Sequence, residues 1–254
     1  MATDPILINT RPTHRSDAIR AMRGVAVVDL PLLEINDLPI DTCDAEKLRA
    51  WQAGNYHALI ITSVESAKRA LAYLAHLNGK KTHTKPDTPM IAVGDATAKC
   101  LINAGFTPIL PDTANNEGML KLPQIRSLGT GSRVLIWRGV GGRKLLHDTL
   151  NARGVQIDVI RWYERVCPAD LPADYAQILP ILNSQADTPI YVLVSSQMAF
   201  EHWQSLPNSA ELLARCRYLT LGERLYSIVK DSKQHATLID DLHPNTIHSA
   251  ISRP

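Results

Sequence analysis

Short apolar runs alternate along the chain with amphipathic stretches of helix length, and turn-forming residues separate them. The apolar runs predict strands, and the amphipathic stretches predict helices. The predicted strands are Ile6–Asn9, Val25–Leu30, Ala58–Thr62, Met90–Val93, Arg133–Trp137, Val155–Tyr163, Ile190–Val194, Tyr218–Leu221 and Ala236–Ile239. The predicted helices are Arg15–Arg23, Ser66–Leu77, Ala96–Asn103, Lys144–Ala152, Met198–Ser205 and Arg224–Asp231. This succession indicates an α/β fold with parallel sheets flanked by helices, built from βαβ units.

The two halves of the chain repeat the same landmarks. In each half an Arg ends a strand, a helix follows, and a Gly-Val pair opens the next strand. The matching positions, each about half a chain apart, are Arg11 and Arg138, Gly24 and Gly154, Ser63 and Ser196, and Gly94 and Gly222. Such spacing indicates that the chain arose by duplication or uses one α/β unit twice.

The composition excludes several classes of protein. A net charge of +2 gives no case for general nucleic-acid binding, which needs a clustered basic face. No apolar run approaches the roughly 20 residues of a membrane-spanning helix. The first residues enter a strand without the layout of a signal peptide, so we expect a cytoplasmic protein. The four Cys and nine His residues are scattered without metal-ligand spacing, so we expect no metal site.

Polar, turn-forming residues follow six of the predicted strands. In parallel sheets ligands bind beyond the carboxyl ends of the strands, where turns expose backbone N–H groups at helix N-termini. The six turns are Thr10-Arg11-Pro12, Thr62-Ser63, Gly94, Arg138-Gly139, Ser195-Ser196 and Gly222. Each alone is explained equally well by helix capping, but together they favour a cleft that binds an anion.

Other chemistries find less support in the sequence. The segment Arg138-Gly-Val-Gly-Gly-Arg143 lacks the spacing of a dinucleotide-binding loop, so its glycines are better explained by close approach of the backbone to an anionic ligand or a strand. No nucleophile elbow is present, and no Ser or Cys has a recognisable His partner. Tyr163 ends a strand before a connector, where packing explains an aromatic ring better than proton donation does.

The motifs taken together resemble the uroporphyrinogen-III synthase family. The order and spacing of the motifs carry the resemblance, which runs through nearly the whole chain. The motifs are Asn9-Thr-Arg-Pro12, Pro31-Leu-Leu-Glu-Ile35, Leu59-Ile-Ile-Thr-Ser63, Ile91-Ala-Val-Gly-Asp-Ala-Thr-Ala98, Arg133-Val-Leu-Ile-Trp-Arg-Gly139, Gly142-Arg143 and Tyr163-Glu-Arg-Val-Cys-Pro168.

The resemblance implies two similar α/β domains joined by two strand-like connectors, with the active site in the cleft between them. The first domain would be discontinuous and would comprise residues 1–35 and 169–254. The second would comprise residues 40–164, and the connectors would lie near 36–39 and 165–168. Each half of the repeat would then start in one domain and finish in the other.

The resemblance also implies a reaction. The substrate would be hydroxymethylbilane, a linear tetrapyrrole with eight carboxylates, which loses water and closes into a ring with its last pyrrole inverted. The family uses no cofactor or metal, and its tyrosine at the position of Tyr163 is implicated in loss of the hydroxyl. The resemblance and the strand-end pattern together give the substrate-binding residues Arg11, Ser63, Gly94, Thr97, Arg138, Gly139, Arg143, Ser195, Ser196 and Gly222. We expect a monomer that makes at most a transient contact with the enzyme supplying the bilane, and no nucleic-acid or membrane partner.

The chain departs from the family pattern at two turns. Asn115-Asn116 precede the Glu117-Gly118 pair, where the family often has Ser before Glu-Gly, and we expect an Asn there to cap a helix in the same way. Glu65 stands where small residues or Asn are commoner. Because an inward carboxylate would repel the substrate, we expect Glu65 to face solvent.

Two other functions stay open on the sequence. One is a non-catalytic two-domain module that binds an anionic tetrapyrrole or similar small molecule through the same cleft. The other is a flavodoxin-like carrier, which would need a phosphate loop and a bound flavin. Fold class alone does not decide among them.

Overall fold

The computed structural model of the chain describes residues 4–78, 86–142, 144–207 and 210–252. Along these residues strands and helices alternate. The elements up to residue 130 are β1 (Ile6–Asn9), a 3-10 helix (Thr13–Arg15), α1 (Asp17–Arg20), β2 (Ala26–Asp29), β3 (Glu34–Asp37), α2 (Thr42–Gln52), β4 (Ala58–Ile61), α3 (Val64–Asn78), β5 (Met90–Ala92), α4 (Asp95–Asn103), α5 (Asn116–Lys121) and α6 (Pro123–Arg126). The later elements are β6 (Arg133–Gly139), α7 (Leu145–Ala152), β7 (Gln156–Val166), α8 (Leu171–Ser184), β8 (Ile190–Val194), α9 (Gln197–Gln204), α10 (Ala210–Arg215), β9 (Cys216–Leu221), α11 (Glu223–Asp231), β10 (His235–Ile239) and α12 (Pro244–Ile251).

The chain divides into two compact units, each with its own five-stranded sheet. Unit 1 comprises Met1–Ile35 and Val166–Pro254, and unit 2 comprises Asn36–Arg165. One sheet has the order β10-β9-β8-β1-β2 and the other the order β3-β7-β6-β4-β5. The strands β10 to β2 of the first sheet and β7 to β5 of the second are parallel throughout. The predicted class, α/β with parallel sheets and flanking helices, is confirmed.

The two sheets have the same strand order when the halves of the chain are exchanged. The run β9-β8-β1-β2 corresponds to β5-β4-β6-β7. Even the position of β10 has a counterpart, because Ile109 forms an isolated parallel bridge to Ile91 of β5. Each half of the chain therefore begins in one unit and ends in the other. The strands that correspond are those that carry the repeated landmarks of the sequence.

The sheet of unit 1 is buried on both faces, which explains the uninterrupted apolar sequence of its central strands. Ile6 and Ile8 of β1 pack into one cluster together with Phe200. Leu7, between them, packs into a second cluster on the opposite face together with Ile247. Alternate residues of a strand point to opposite faces, so both faces of this sheet need apolar partners.

Aromatic side chains fill one part of the core of unit 2. The ring of Trp137 packs edge-on against the rings of Trp51 and Trp162, with 5.3 Å and 5.8 Å between ring centroids. The ring centroid of Trp162 lies 5.9 Å from that of Tyr73. Such T-shaped contacts stabilise a core beyond the area they bury. Trp137 directly precedes Arg138 on β6, and Trp162 directly precedes Tyr163 on β7. The packed indoles therefore fix the positions of Arg138 and Tyr163. Tyr163 does not end its strand as predicted, because β7 continues to Val166.

The predicted helix over residues 15–23 is wrong in extent. The segment forms a 3-10 turn and then the single helical turn α1, and Ile19 is the one buried residue of α1. A helix this short draws its stability from tertiary packing, and one buried residue supports only one turn. Gly24 then takes a positive φ of 71° as the chain turns into β2.

Several elements had no prediction because their sequences lack the usual signals. The edge strand β3 is mostly exposed and polar, so it has no apolar run. The helix α8 contains Pro172 in its first turn and Pro180 inside it. Proline is well tolerated in the first turn, so Pro172 marks the start of a helix. Likewise Pro244 begins α12.

Candidate active site

A cavity of about 220 Å³ lies at the carboxyl ends of β4, β5 and β6 in unit 2. Ser63, Arg138, Gly139 and Tyr163, all predicted as site residues, line it together. The cavity occupies the place where parallel sheets bind their ligands.

Tyr163 lies at the centre of a hydrogen-bonded group of polar side chains. Its Oη donates to Ser63 Oγ at 3.1 Å and accepts from Nη2 of Arg165 at 3.1 Å. Ser63 Oγ is held in turn by the backbone N–H of Ser66 at 3.1 Å and lies 2.6 Å from Ser66 Oγ. The phenol is 2% exposed, so its proton is directed by these partners and not by bulk water.

A shift in strand register places the Tyr163 ring against bare backbone. Along β6 and β7, Arg138 pairs with Arg161, but the next residue, Gly139, pairs with Tyr163. The extra residue, Trp162, breaks the alternation of the strand, so that Trp162 and Tyr163 are both buried. Bulges of this kind often re-aim a side chain beside an active site.

Gly139 has no room for a side chain. A Cβ built there would lie 2.5 Å from Cζ and 2.7 Å from Cε2 of Tyr163. The glycine is therefore needed for the close approach of the ring to β6.

Two guanidinium groups flank the Tyr163 ring. Cζ of Arg165 lies 5.2 Å from the ring centroid and Cζ of Arg69 lies 5.5 Å from it. Cations at this distance are attracted to the face of an aromatic ring. Arg69 is itself fixed by two carboxylates, because Nε donates to Asp37 Oδ1 at 2.5 Å and Nη1 donates to Glu65 Oε2.

The expectation that Glu65 faces solvent is wrong. The residue is 8% exposed and forms an ion pair with Arg69, one helical turn later on α3. Opposite charges at i and i+4 of a helix are close neighbours, and this pairing draws the carboxylate inward. Because Arg69 compensates its charge, Glu65 does not add an unpaired negative charge beside the cavity.

Arg138 organises the glycine loop on the other side of the cavity. Its Nε donates to the carbonyl of Gly139 at 3.2 Å, and Nη2 donates to the carbonyl of Gly141. Gly141 and Gly142 have positive φ values of 77° and 86°, so the loop requires glycine at both positions. Burial, with a smaller contribution from nearby Arg161, lowers the pKa of Arg138 from its ordinary value. An arginine stays charged nonetheless, so Arg138 presents a partly buried cation.

The cavity therefore carries positive charge without compensating carboxylates. None of the described residues lining it is Asp or Glu, whereas Arg138 and Arg165 both line it. An apolar contribution comes from Val140, which is 43% exposed. This combination suits an organic anion with apolar parts.

Asn115 caps a helix as expected. Its Oδ1 accepts from the backbone N–H of Gly118 at 2.7 Å at the start of α5. Asn115 and Asn116 both line the cavity, so the cap holds this turn beside it.

Two predicted residues of unit 2 do not line the cavity, and a third lies outside the residues that the structure describes. Gly94 begins α4 in an extended conformation, next to the cavity-lining Val93. Thr97 is 3% exposed within α4, where helix packing accounts for it. Arg143 lies outside the described residues.

The predicted residues of unit 1 follow three adjacent strands of its sheet. Arg11 comes after β1, Ser195 and Ser196 after β8, and Gly222 after β9. Thr10 Oγ1 donates to the carbonyl of Leu193 and joins the ends of β1 and β8. Gly222 has a positive φ of 80° at the start of α11. Burial, followed by the charge of Arg15, lowers the pKa of Arg11.

Sequence reasoning missed Arg69 and the partnership of Arg165 with Tyr163. The Glu65/Arg69 spacing was a usable signal, since i, i+4 pairs of opposite charge are neighbours on a helix. Arg165 lies two residues after Tyr163 on β7, and alternate residues share a face of a strand. The register shift between β6 and β7 determines that the Tyr163 ring lies opposite Gly139, and the sequence pattern contains no signal for it.

Within residues 4–78, 86–142, 144–207 and 210–252 no helix is both long and apolar enough to cross a membrane. No group of three or more His, Cys, Asp or Glu side chains there is arranged to hold a metal ion.

The chain is similar in sequence to known proteins that carry the same name. The family model described as "Uroporphyrinogen-III synthase HemD" matches residues 16–240. Uroporphyrinogen-III synthase of Escherichia coli is 30% identical over 161 residues, which cover 61% of this chain and 62% of that protein. The Salmonella typhimurium enzyme of the same name is 33% identical over 144 residues, 55% of this chain and 56% of that protein. The alignments thus span about three fifths of these relatives.

Solved structures share the fold. A mutant uroporphyrinogen III synthase from Thermus thermophilus superposes with a TM-score of 0.68 at 14% identity, covering 96% of both chains. Uroporphyrinogen-III synthetase from Helicobacter pylori gives a TM-score of 0.59 at 14% identity, covering 98% of this chain and 99% of that one.

Proposed function

Since this chain belongs to the uroporphyrinogen-III synthase family, we propose that it converts hydroxymethylbilane into uroporphyrinogen III, closing the ring with loss of water and inversion of the last pyrrole. It would act as a cyclising lyase in porphyrin and haem biosynthesis. The observation that carries the proposal is the buried Tyr163 phenol, hydrogen-bonded in a cavity that holds two arginines and no acidic lining residue among those described.

The charge of the cavity supports a carboxylate-rich substrate. Arg138 and Arg165 give the cavity positive charge, and Arg138 offers a guanidinium group, which binds a carboxylate in a bidentate manner. Because a cavity of about 220 Å³ holds only part of a tetrapyrrole, further carboxylates need other partners. We assign that role to Arg11, Ser195, Ser196 and Gly222 of unit 1, and to Gly94 and Arg143 of unit 2.

Tyr163 is suited to start the reaction as a general acid. The bond between the hydroxymethyl carbon and its oxygen breaks, the oxygen takes the phenolic proton and water leaves, while the electron pair of the pyrrole nitrogen stabilises the remaining azafulvenium cation. The substituted carbon of the last pyrrole then attacks to give a spiro intermediate, which fragments and recloses with that ring reversed. Positioned proton donors typically accelerate a step by about 10²–10⁴-fold.

The harder task is geometric, because the bilane also closes unaided without inversion. The protein must hold the two ends in the less accessible arrangement. Orientation of reacting groups is worth as much as about 7–11 kcal/mol in favourable cases. A framework of fixed strand ends, such as β6 and β7 with their packed indoles, supplies that rigidity.

We also propose that the protein works without metal or cofactor, as a cytoplasmic monomer that meets the preceding enzyme of the route only transiently. The chemistry above needs a proton donor and no electron transfer. Sedimentation equilibrium at micromolar concentration tests the oligomeric state, and a dimer would contradict it.

Turnover distinguishes this proposal from a binding module. With the protein at a thousandth of the concentration of freshly generated hydroxymethylbilane, we expect loss of the bilane well above the spontaneous rate and through many turnovers. A binding protein would bind one equivalent, protect it, and leave the remainder to close at the spontaneous rate.

Replacing Arg138 by Gln tests the carboxylate contact. We expect KM to rise by roughly tenfold or more, because a charge-assisted hydrogen bond contributes about 1.5–3 kcal/mol. The fall in kcat should be smaller, since the group binds ground state and transition state alike. Steady-state kinetics give both values, and Arg138→Lys, which keeps the charge but loses the planar fork, should lie between. An unchanged KM in Arg138→Gln would remove the assignment.

A further inference from the structure

The two guanidinium groups beside Tyr163 differ in their charge balance. Arg69 is neutralised by Glu65 and Asp37. Arg165 has no carboxylate within ion-pair distance among the residues that the structure describes, and its recorded contacts are to the hydroxyl and ring of Tyr163. Arg165 is an exposed residue whose guanidinium contacts the phenol without a carboxylate partner among the described residues, whereas Arg69 supports the ring through a fixed network.

The hydrogen bond from Arg165 also sets the direction of the phenolic proton. A guanidinium has only donors, so the Arg165 bond occupies a lone pair of the Tyr163 oxygen. The phenol's own proton must then point elsewhere, and the structure directs it to Ser63 Oγ at 3.1 Å, on the lining of the cavity. A substrate oxygen that takes the place of Ser63 Oγ would accept the phenolic proton of Tyr163.

We propose that Arg165 is a positioning residue for Tyr163, on the premise of the proposed function. It keeps the phenolic proton aimed into the cavity, and it stabilises the phenolate formed when the leaving hydroxyl takes that proton. In this step the O–H bond of Tyr163 breaks, the new O–H bond forms on the departing water, and the Arg165 hydrogen bond becomes a bond between two charges. Bonds of that kind are stronger than those between neutral groups, so the gain appears in the transition state.

The substitution Arg165→Gln tests this role. We expect kcat to fall by roughly ten- to a hundredfold with little change in KM, and the solvent deuterium isotope effect on kcat to increase, because proton transfer becomes slower relative to other steps. Arg165→Lys, which keeps the charge, should recover much of the loss. Arg126→Gln is the matched control, because it removes an exposed cation from the same unit away from the cavity.

A double-mutant cycle shows whether Arg165 acts through Tyr163. In a Tyr163→Phe background, Arg165→Gln should have almost no further effect on kcat, since the acid it serves is gone. A full additional loss there, or a change in KM alone in the single variant, would overturn the positioning role and make Arg165 a contact for a substrate carboxylate. Failure of the wild-type protein to turn over the bilane would reject the proposed function instead, so the two failures are distinguishable.

Discussion

The Tyr163→Phe variant is expected to close hydroxymethylbilane about 10²–10⁴-fold more slowly than the wild type, because it lacks the proton donor for the leaving hydroxyl. Phenylalanine keeps the buried ring and its contacts with Gly139, so the cavity should keep its shape. The hydrogen bonds to Ser63 and from Arg165 are lost. The effect should therefore appear in kcat, with KM changed far less, and rapid-mixing measurements of water loss would locate it in the first chemical step.

Tyr56→Phe is the matched control for this variant. Tyr56 is also a buried tyrosine of unit 2, but its hydroxyl donates to Asp158 Oδ2 at 2.8 Å near the beginning of β7, far along the strand from Tyr163. Burial, reinforced by Asp158, raises the pKa of that phenol, so it is a neutral structural donor. We expect Tyr56→Phe to lower thermal stability and to leave kcat unchanged. Equal kcat losses in the two variants, or wild-type kcat in Tyr163→Phe, would refute the catalytic assignment.

Gly139→Ala should be nearly as damaging although it adds a single methyl group. The new Cβ would lie 2.5 Å from the ring of Tyr163, far inside contact distance, and the ring has to move. A misplacement of about 1 Å in an active site can cost roughly a hundredfold in rate. Overpacking of this kind also costs about 1–3 kcal/mol of stability. We expect kcat to fall by about two orders of magnitude and the thermal midpoint to fall with it.

The control for crowding is Gly129→Ala in the same unit. A Cβ there would lie 3.8 Å from its nearest neighbour, the carbonyl oxygen of Arg153, which is ordinary contact. That variant should keep wild-type kcat and stability. A folded Gly139→Ala variant with wild-type kcat would show that the ring need not lie against β6.

Much of the site was predictable because it depends on short-range sequence signals. Strands such as Ile6–Asn9 and Ile190–Val194 were predicted with their observed bounds, since uninterrupted apolar runs mark strands buried on both faces. Parallel sheets then place the residues after each strand at one edge, which brings Ser63 and Arg138 to a common cavity.

What escaped prediction depends on interactions between distant segments. The register shift between β6 and β7 determines which residue faces Gly139, and the extra residue, Trp162, packs against Trp137 of the neighbouring strand. Glu65 was expected in solvent because its burial requires Arg69 and, beyond it, Asp37 from another segment. The i, i+4 spacing of Glu65 and Arg69 is visible in the sequence, but the ion pair with Asp37 joins separate segments and is not encoded in periodicity.

The identity of the product tests the account most directly. Freshly generated hydroxymethylbilane is incubated with the protein, the porphyrinogens are oxidised, and the type I and type III isomers are separated by chromatography. We predict a large excess of type III with the wild type, and a shift toward the type I isomer of the spontaneous reaction with Tyr163→Phe as catalysis slows. Type I alone from folded wild-type protein would contradict ring inversion by this chain and leave its cavity as a binding site.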